Sequence, residues 1–231
     1  MSTKILCIES STDVCSVCIS VNGKSVGLKE FKDFKHSSHL LPLILNSLEE
    51  SDIDKKSLNS ICLSKGPGSY TGLRVGSSTA KGLAFALDIP LIAIDTLKAL
   101  ANGLITNISL NDNDVIVMPM IDARRDEVYT AKYSTSLDCL LPTQPLILDH
   151  FFLDHLDHHH RIYICGNGAQ KATSICEGHS NVMILPTQCS AQDLCSLSQL
   201  AYDQSLFENL DHFEPNYLKP PKITKPKSPL I

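Results

Sequence analysis

The segment Lys65–Gly82, KGPGSYTGLRVGSSTAKG, constrains the fold of this chain more than any other. Gly66, Pro67 and Gly68 form a turn, and the residues after it read as a helix. In that helix Gly72, Gly76, Ala80 and Ala84 recur every four positions, a spacing that stacks them on one face. Each glycine gives up roughly 1 kcal/mol of helix propensity relative to alanine. Close approach of a neighbouring backbone compensates for such a loss, and the usual neighbour is another helix. Arg74, Ser77, Ser78 and Lys81 rule out a membrane span here, so the neighbour is protein.

Composition sets the class. A chain of 231 residues can form one large domain or two small ones, and 43% hydrophobic with 19% charged residues is ordinary for a globular protein. The net charge of −5 argues against a protein that grips nucleic acid unaided. No apolar run reaches about 18 residues, and MSTKILCIES reads as a strand rather than a secretory leader, so a cytoplasmic location is expected. The nine cysteines sit mostly in apolar runs and suit free thiols in a reducing compartment. Cys15 and Cys18 form a CxxC on an expected strand, where odd spacing puts them on opposite faces and argues against a metal or redox pair.

Strands are expected at 4–8, 14–21 and 25–31, with Asn22-Gly23 as a hairpin turn. A helix over 38–50 carries Leu40, Leu41, Ile44, Leu45 and Leu48 on one face. Strands at 60–64 and 89–94 then alternate with the small-residue helix, which implies parallel pairing, and a further helix covers 96–106. LCIESSTDVCSVCIS in the first half and PMIDARRDEVYTAKY in the second share one pattern of strand, acidic residue, polar turn and alternating strand. That points to a duplication and two related α/β lobes, 1–110 and 111–218, followed by a Pro- and Lys-rich mobile tail, 219–231. In the second lobe strands are expected at 115–121, 127–133, 161–165 and 182–185, with a helix over 191–207.

Several clusters invite a chemical reading. Ser10, Ser11 and Thr12 in the ESSTD turn could cradle a phosphate, and Gly166-Asn167-Gly168 could let an adenosine approach the backbone. Ordinary tight turns explain both equally well. His36 and His39 fit helix-entrance positions beside capping serines better than a metal site, because no third ligand lies nearby. His155, Asp157, His158, His159 and His160 read as a solvated loop. Asp122, Arg124, Arg125, Asp126 and Glu127 favour structural or interface ion pairs over acid–base catalysis. No nucleophile elbow, Walker A loop or paired CxxC zinc motif is present.

Taken together, ILCIESST, His36-Ser37 with LLPLI, GPGSYTGLRVG, KGLAFAL, IDTLKALA and IDARRDEVY resemble the TsaB (YeaZ) family. The resemblance is dense over 4–133 and sparse over 134–231, where YICGNGA and EPNYLK are its main echoes. It implies an actin-like ATPase (ribonuclease H-like, ASKHA) fold with two related lobes of mixed sheets flanked by helices. It also implies a non-catalytic subunit of the bacterial machinery that makes threonylcarbamoyladenosine at tRNA position 37. In that family two helices, here near 38–50 and 71–87, form a four-helix bundle with a second copy or with the larger catalytic relative, TsaD. TsaE joins through TsaD, and tRNA is met only within the complex. The implied interface residues are Leu40, Leu41, Ile44, Leu45, Leu48, Gly72, Gly76, Ala80 and Ala84. The catalytic relative holds a metal through HxxxH, whereas here His36 and His39 are three apart, so neither a metal nor a catalytic residue is expected in this chain. No cofactor is required. Ser10, Ser11, Thr12, Gly166 and Gly168 match the remains of a weak ATP or ADP site. The alternative reading is an actin-like-fold kinase or an M22-type metallopeptidase.

Overall fold

Two hairpins with the same wiring organise the chain. The computed structural model describes residues 2–32, 36–156 and 159–219, and for His36 the backbone alone. The first sheet is built from β1 (Lys4–Glu9), β2 (Val14–Val21), β3 (Lys24–Lys32), β4 (Ser60–Ser64) and β5 (Leu91–Ile94), in the order β3-β2-β1-β4-β5. The second is built from β6 (Val115–Asp122), β7 (Glu127–Ser134), β8 (Cys139–Ile147), β9 (Arg161–Cys165) and β10 (Val182–Leu185), in the order β10-β9-β6-β7-β8. In each sheet the first strand pairs antiparallel with the second and parallel with the fourth. The repeat read from ESSTD and DARRD is therefore a repeat of topology. The sequence pattern misses β8, whose Pro142 and Pro145 argue against a strand. It pairs only with β7, at the sheet edge, where proline is tolerated.

Strand alternation sends side chains to two cores in each lobe. Leu6, Ile8, Cys15, Val17 and Ile19 face α1 (His36–Glu50) and α2 (Tyr70–Leu87), while Ile5, Cys7 and Cys18 face the opposite side. Cys15 and Cys18 thus lie on opposite faces, as the spacing requires. Val115, Val117 and Ile121 of β6 pack against α3 (Thr96–Asn107), and Ile116, Met118 and Met120 face the core containing Phe152.

The small-residue face of α2 turns inward. Ala80 and Ala84 are fully buried in the core that also holds Leu40, Ile44 and Leu48 of α1. A Cβ built on Gly76 would collide with Ser10 Oγ, and Ser10 Oγ itself donates to the Gly72 carbonyl at 2.9 Å. The expectation that Gly72, Gly76, Ala80 and Ala84 meet a partner is corrected: their close neighbours are the β1–β2 turn and the sheet of the same chain. A four-residue stripe reports close approach without reporting to what.

The lobe boundary at 110 is corrected as well. α3 follows the first sheet in sequence but packs on the second, against Val115, Tyr129 and Tyr163. The 3₁₀ turn 191–194 and α4 (Cys195–Asp203) follow the second sheet but cover the first, through Leu194, Cys195, Leu197 and Ala201. The chain then stays with the first lobe: Glu208 N donates to Leu91 O at 2.8 Å and Phe213 joins the α1–α2 core. Of the expected tail 219–231, Lys219 is described and ion-pairs with Glu127; the rest lies outside the described residues.

The two exchanged segments meet at a pivot. Asn102 Nδ2 donates to Asp193 O at 2.7 Å and to Ser196 Oγ at 3.0 Å. The Asp193 carboxyl lies so close to Gly103 that any Cβ there would strike it. Burial, reinforced by the nearby charge of Glu9, pushes the Asp193 carboxyl up to about 7.

Three outcomes follow from this packing. Gly76→Leu should lose the folded monomer rather than only its association, because the new side chain has the Ser10 turn in its path; circular dichroism reads this directly. Gly82, on the outer face of α2 with open space around it, should accept alanine with a gain of about 0.5–1 kcal/mol in urea unfolding. Asp193 is an acid whose folded value is raised, so its unfolded form ionises first and stability falls as pH rises from about 4 to about 7. Asp193→Asn should be more stable than wild type at pH ~8, by at most about 4 kcal/mol, with the difference closing near pH ~4.

Candidate functional site

The lobes enclose a cleft of about 730 Å³. Its first-lobe wall is the 11–13 turn and the start of α2, at Gly68–Thr71. Its second-lobe wall is the β6–β7 turn, with Arg124 and Arg125, and Asn167. The C-terminal strand of chain 216–219 closes one side. Asn216 N donates to Lys65 O at 2.6 Å, Tyr217 packs on Tyr70 with ring centroids 4.7 Å apart, and Lys219 reaches Glu127 and the Tyr129 ring. That segment ties the first lobe to the second across the opening. Asp95 adds another tie, capping α3 while accepting from Thr143 Oγ1 of β8 at 3.1 Å.

The acidic and basic residues of the β6–β7 turn do pair, but not with one another's side chains. Lys171 Nζ holds Asp122 at 2.6 Å and the Arg125 carbonyl at 2.6 Å, and Lys219 holds Glu127. Arg124 and Arg125 both adopt left-handed backbone conformations, φ 72° and 50°, and among the described residues neither guanidinium forms an ion pair. Tyr70 and Tyr217 carry no sequence signal for a shared site, because they are joined only by the return of the C-terminal segment.

The residues expected to hold a nucleotide are placed beside this cleft with their donors already used. Ser11 N and Ser11 Oγ both donate to Glu9 Oε1, at 2.6 and 2.5 Å. Ser10 Oγ is spent on Gly72 O, and Thr12 Oγ1 accepts from Val14 N at 3.4 Å. Ser69 N donates to Ser11 O at 2.6 Å, and the Gly68 backbone rests on Ser11. Glu9, Ser10, Ser11 and Thr12 are all buried. Burial pushes the Glu9 carboxyl up, and the hydrogen bonds from Ser11 oppose this. On the other wall, Gly166 lies against the Met120 carbonyl and Leu100, and Gly168 lies against Ile121 and Asp122. These glycines allow the 166–168 turn to pack on β6; Asn167, between them, is the one that faces the cleft, with its Oδ1 bonded to Asp122 N at 3.0 Å. Ser10, Ser11, Thr12, Gly166 and Gly168 therefore do not present the free donors or open backbone that a phosphate and adenosine need.

A second feature lies on the outside of α1 and α2. Leu41 and Leu45 are 52% and 53% exposed, and Phe85 is 81% exposed. Around them Ser78, Gly82 and Ala86 keep the outer face of α2 low. Sequence reading missed Phe85 because it followed the inward stripe; the complementary stripe 71, 75, 78, 82, 85 was the signal that could have found it. Of the implied interface residues, Leu40, Ile44, Leu48, Gly72, Gly76, Ala80 and Ala84 belong to the chain's own core, and Leu41 and Leu45 face outward.

The histidine clusters do not assemble a site. His39 stacks on Phe31 with centroids 3.8 Å apart, and Asp157, His158 and the His36 side chain lie outside the described residues. Among the described residues no three His, Cys, Asp or Glu side chains come together in metal-binding geometry, and no helix is long and apolar enough to cross a membrane.

Comparison with known proteins agrees with this architecture. The family model of TsaD, tRNA N6-adenosine threonylcarbamoyltransferase, matches residues 32–223. The tRNA threonylcarbamoyladenosine biosynthesis protein TsaB of Buchnera aphidicola subsp. Acyrthosiphon pisum (strain APS) is 41% identical over 134 residues, 58% of this chain and 59% of that protein. The match thus spans little more than half the length of this curated relative. The structure of YeaZ from Pseudomonas aeruginosa superposes with a TM-score of 0.79 at 25% identity, covering 94% of this chain and 100% of that one. The activator of 2-hydroxyisocaproyl-CoA dehydratase from Clostridium difficile, with bound ADPNP, shares the fold at a TM-score of 0.52 and 9% identity, over 90% of this chain and 99% of that one. Two mixed sheets of one topology, each flanked by helices, are the actin-like ATPase fold. The chain belongs to the family of the matching threonylcarbamoyltransferase model, and within it to the TsaB (YeaZ) branch.

Proposed function

We propose that this chain is a non-catalytic assembly subunit in the synthesis of threonylcarbamoyladenosine at tRNA position 37. It docks on the catalytic relative TsaD through the outer face of α1 and α2, and pairs with a second copy of itself when alone. TsaE and tRNA are met through the assembly. The observation that carries this reading is the apolar outer face of Leu41, Leu45 and Phe85, standing beside helix positions small enough to admit another helix. Large exposed apolar side chains clustered on adjacent helices cost solubility unless a partner covers them, and a low, Gly- and Ala-bearing surface lets a facing helix come close. The inward face cannot serve, since it is already packed.

Size-exclusion chromatography with light scattering tests it, on the chain alone and mixed with the TsaD of the same organism. A homodimer that exchanges into a heterodimer supports the proposal; species unchanged on mixing oppose it. Phe85→Asp and Leu45→Asp should leave the isolated chain folded, because both side chains are in solvent, and should weaken association at least tenfold. Retained association in both variants would move the interface off these helices.

A further inference from the structure

The fold implies a nucleotide in the interlobe cleft, and the residues at its phosphate end do not fit one. In a turn that binds phosphate, backbone N–H and hydroxyl donors converge on an anion. Here the donors converge on an anion of the chain itself. The Ser11 N–H and hydroxyl both point at Glu9 Oε1, at 2.6 and 2.5 Å, and Glu9 is 1% exposed. Ser10 has no hydroxyl to offer because it holds the Gly72 carbonyl of α2. The Gly66–Ser69 loop sits on the far side of the turn, bonded to Ser11 O through Ser69 N.

We propose that Glu9 is the residue that decides what the cleft can hold: its carboxylate occupies the place of a ligand phosphate in the 9–13 turn and excludes phosphate anions from it. The turn then works as a clasp between β1 and the start of α2. Any ligand of this end of the cleft is neutral or cationic. A phosphate arriving here must displace a carboxylate that already has two short hydrogen bonds, and it must do so next to Asp193, a further carboxyl at the base of the cleft. Charge-assisted hydrogen bonds of this kind are roughly twice as strong as neutral ones, and two like charges at one buried site repel. The proposal goes beyond the assembly reading and does not rest on it, since its test uses the isolated chain.

Isothermal titration with inorganic tripolyphosphate, and separately with Mg-ATP, provides that test on the full-length wild type, Glu9→Ala and Glu9→Gln. Circular dichroism checks that each is folded. Wild type should give no saturable isotherm up to about 10 mM ligand. Glu9→Ala, which frees both Ser11 donors, should bind tripolyphosphate at least tenfold tighter than wild type. Glu9→Gln keeps an oxygen in reach of Ser11 and should stay near the wild-type result. Saturable wild-type binding overturns the proposal without any variant. A folded Glu9→Ala with no gain, or a Glu9→Gln that gains as much as Glu9→Ala, also overturns it.

Discussion

The seating of α2 on the β1–β2 turn is the contact on which the rest depends. Ser10 occupies the space that a side chain at Gly76 would need and bonds to the Gly72 carbonyl, so the helix can lie close to the turn only with its small residues inward. Helix periodicity then leaves the opposite stripe, ending in Phe85, in solvent beside Leu41 and Leu45. The same seating closes the turn: with Ser10 on α2 and Ser11 on Glu9, the donors have partners before any ligand arrives. One packing decision therefore produces both an apolar face in need of a cover and a phosphate turn filled from within.

Around that contact the two lobes exchange helices. α3 leaves the first sheet to cover the second, and the 191–203 segment leaves the second to cover the first. They cross at Asn102, Gly103 and Asp193, where close approach requires glycine and leaves a carboxyl almost without water. The chain then runs back over the cleft through Asn216 and Tyr217 to Lys219. These links hold together lobes whose cores are otherwise separate, and they fix the width of the cleft between Ser11 and the Arg124–Arg125 turn.

Much of this was legible in the sequence where the signal is local. The hairpin, the opposite faces of Cys15 and Cys18, the amphipathic α1 and the duplicated ESSTD and DARRD units all follow from periodicity and turn chemistry. What stayed hidden is non-local. The stripe of Gly72, Gly76, Ala80 and Ala84 records that something comes close but not that Ser10 does. No residue in 191–203 announces that it will pack on the first sheet. Pro142 and Pro145 concealed β8, because composition cannot tell an edge strand from a loop. Glu9 was read as the acidic end of a strand; its role depends on the direction in which Ser11 points.

Hydroxyl-radical footprinting read by mass spectrometry is the most direct test of the central claim, that this chain acts through the outer face of α1 and α2. It reports side chains individually, and would be run at concentrations where the chain is monomeric, with and without the catalytic relative. The account predicts strong protection of Phe85, Leu41 and Leu45 on mixing, while Tyr70 and Tyr217 in the cleft keep their reactivity. Protection of the cleft tyrosines with none on Phe85, Leu41 and Leu45 would contradict it.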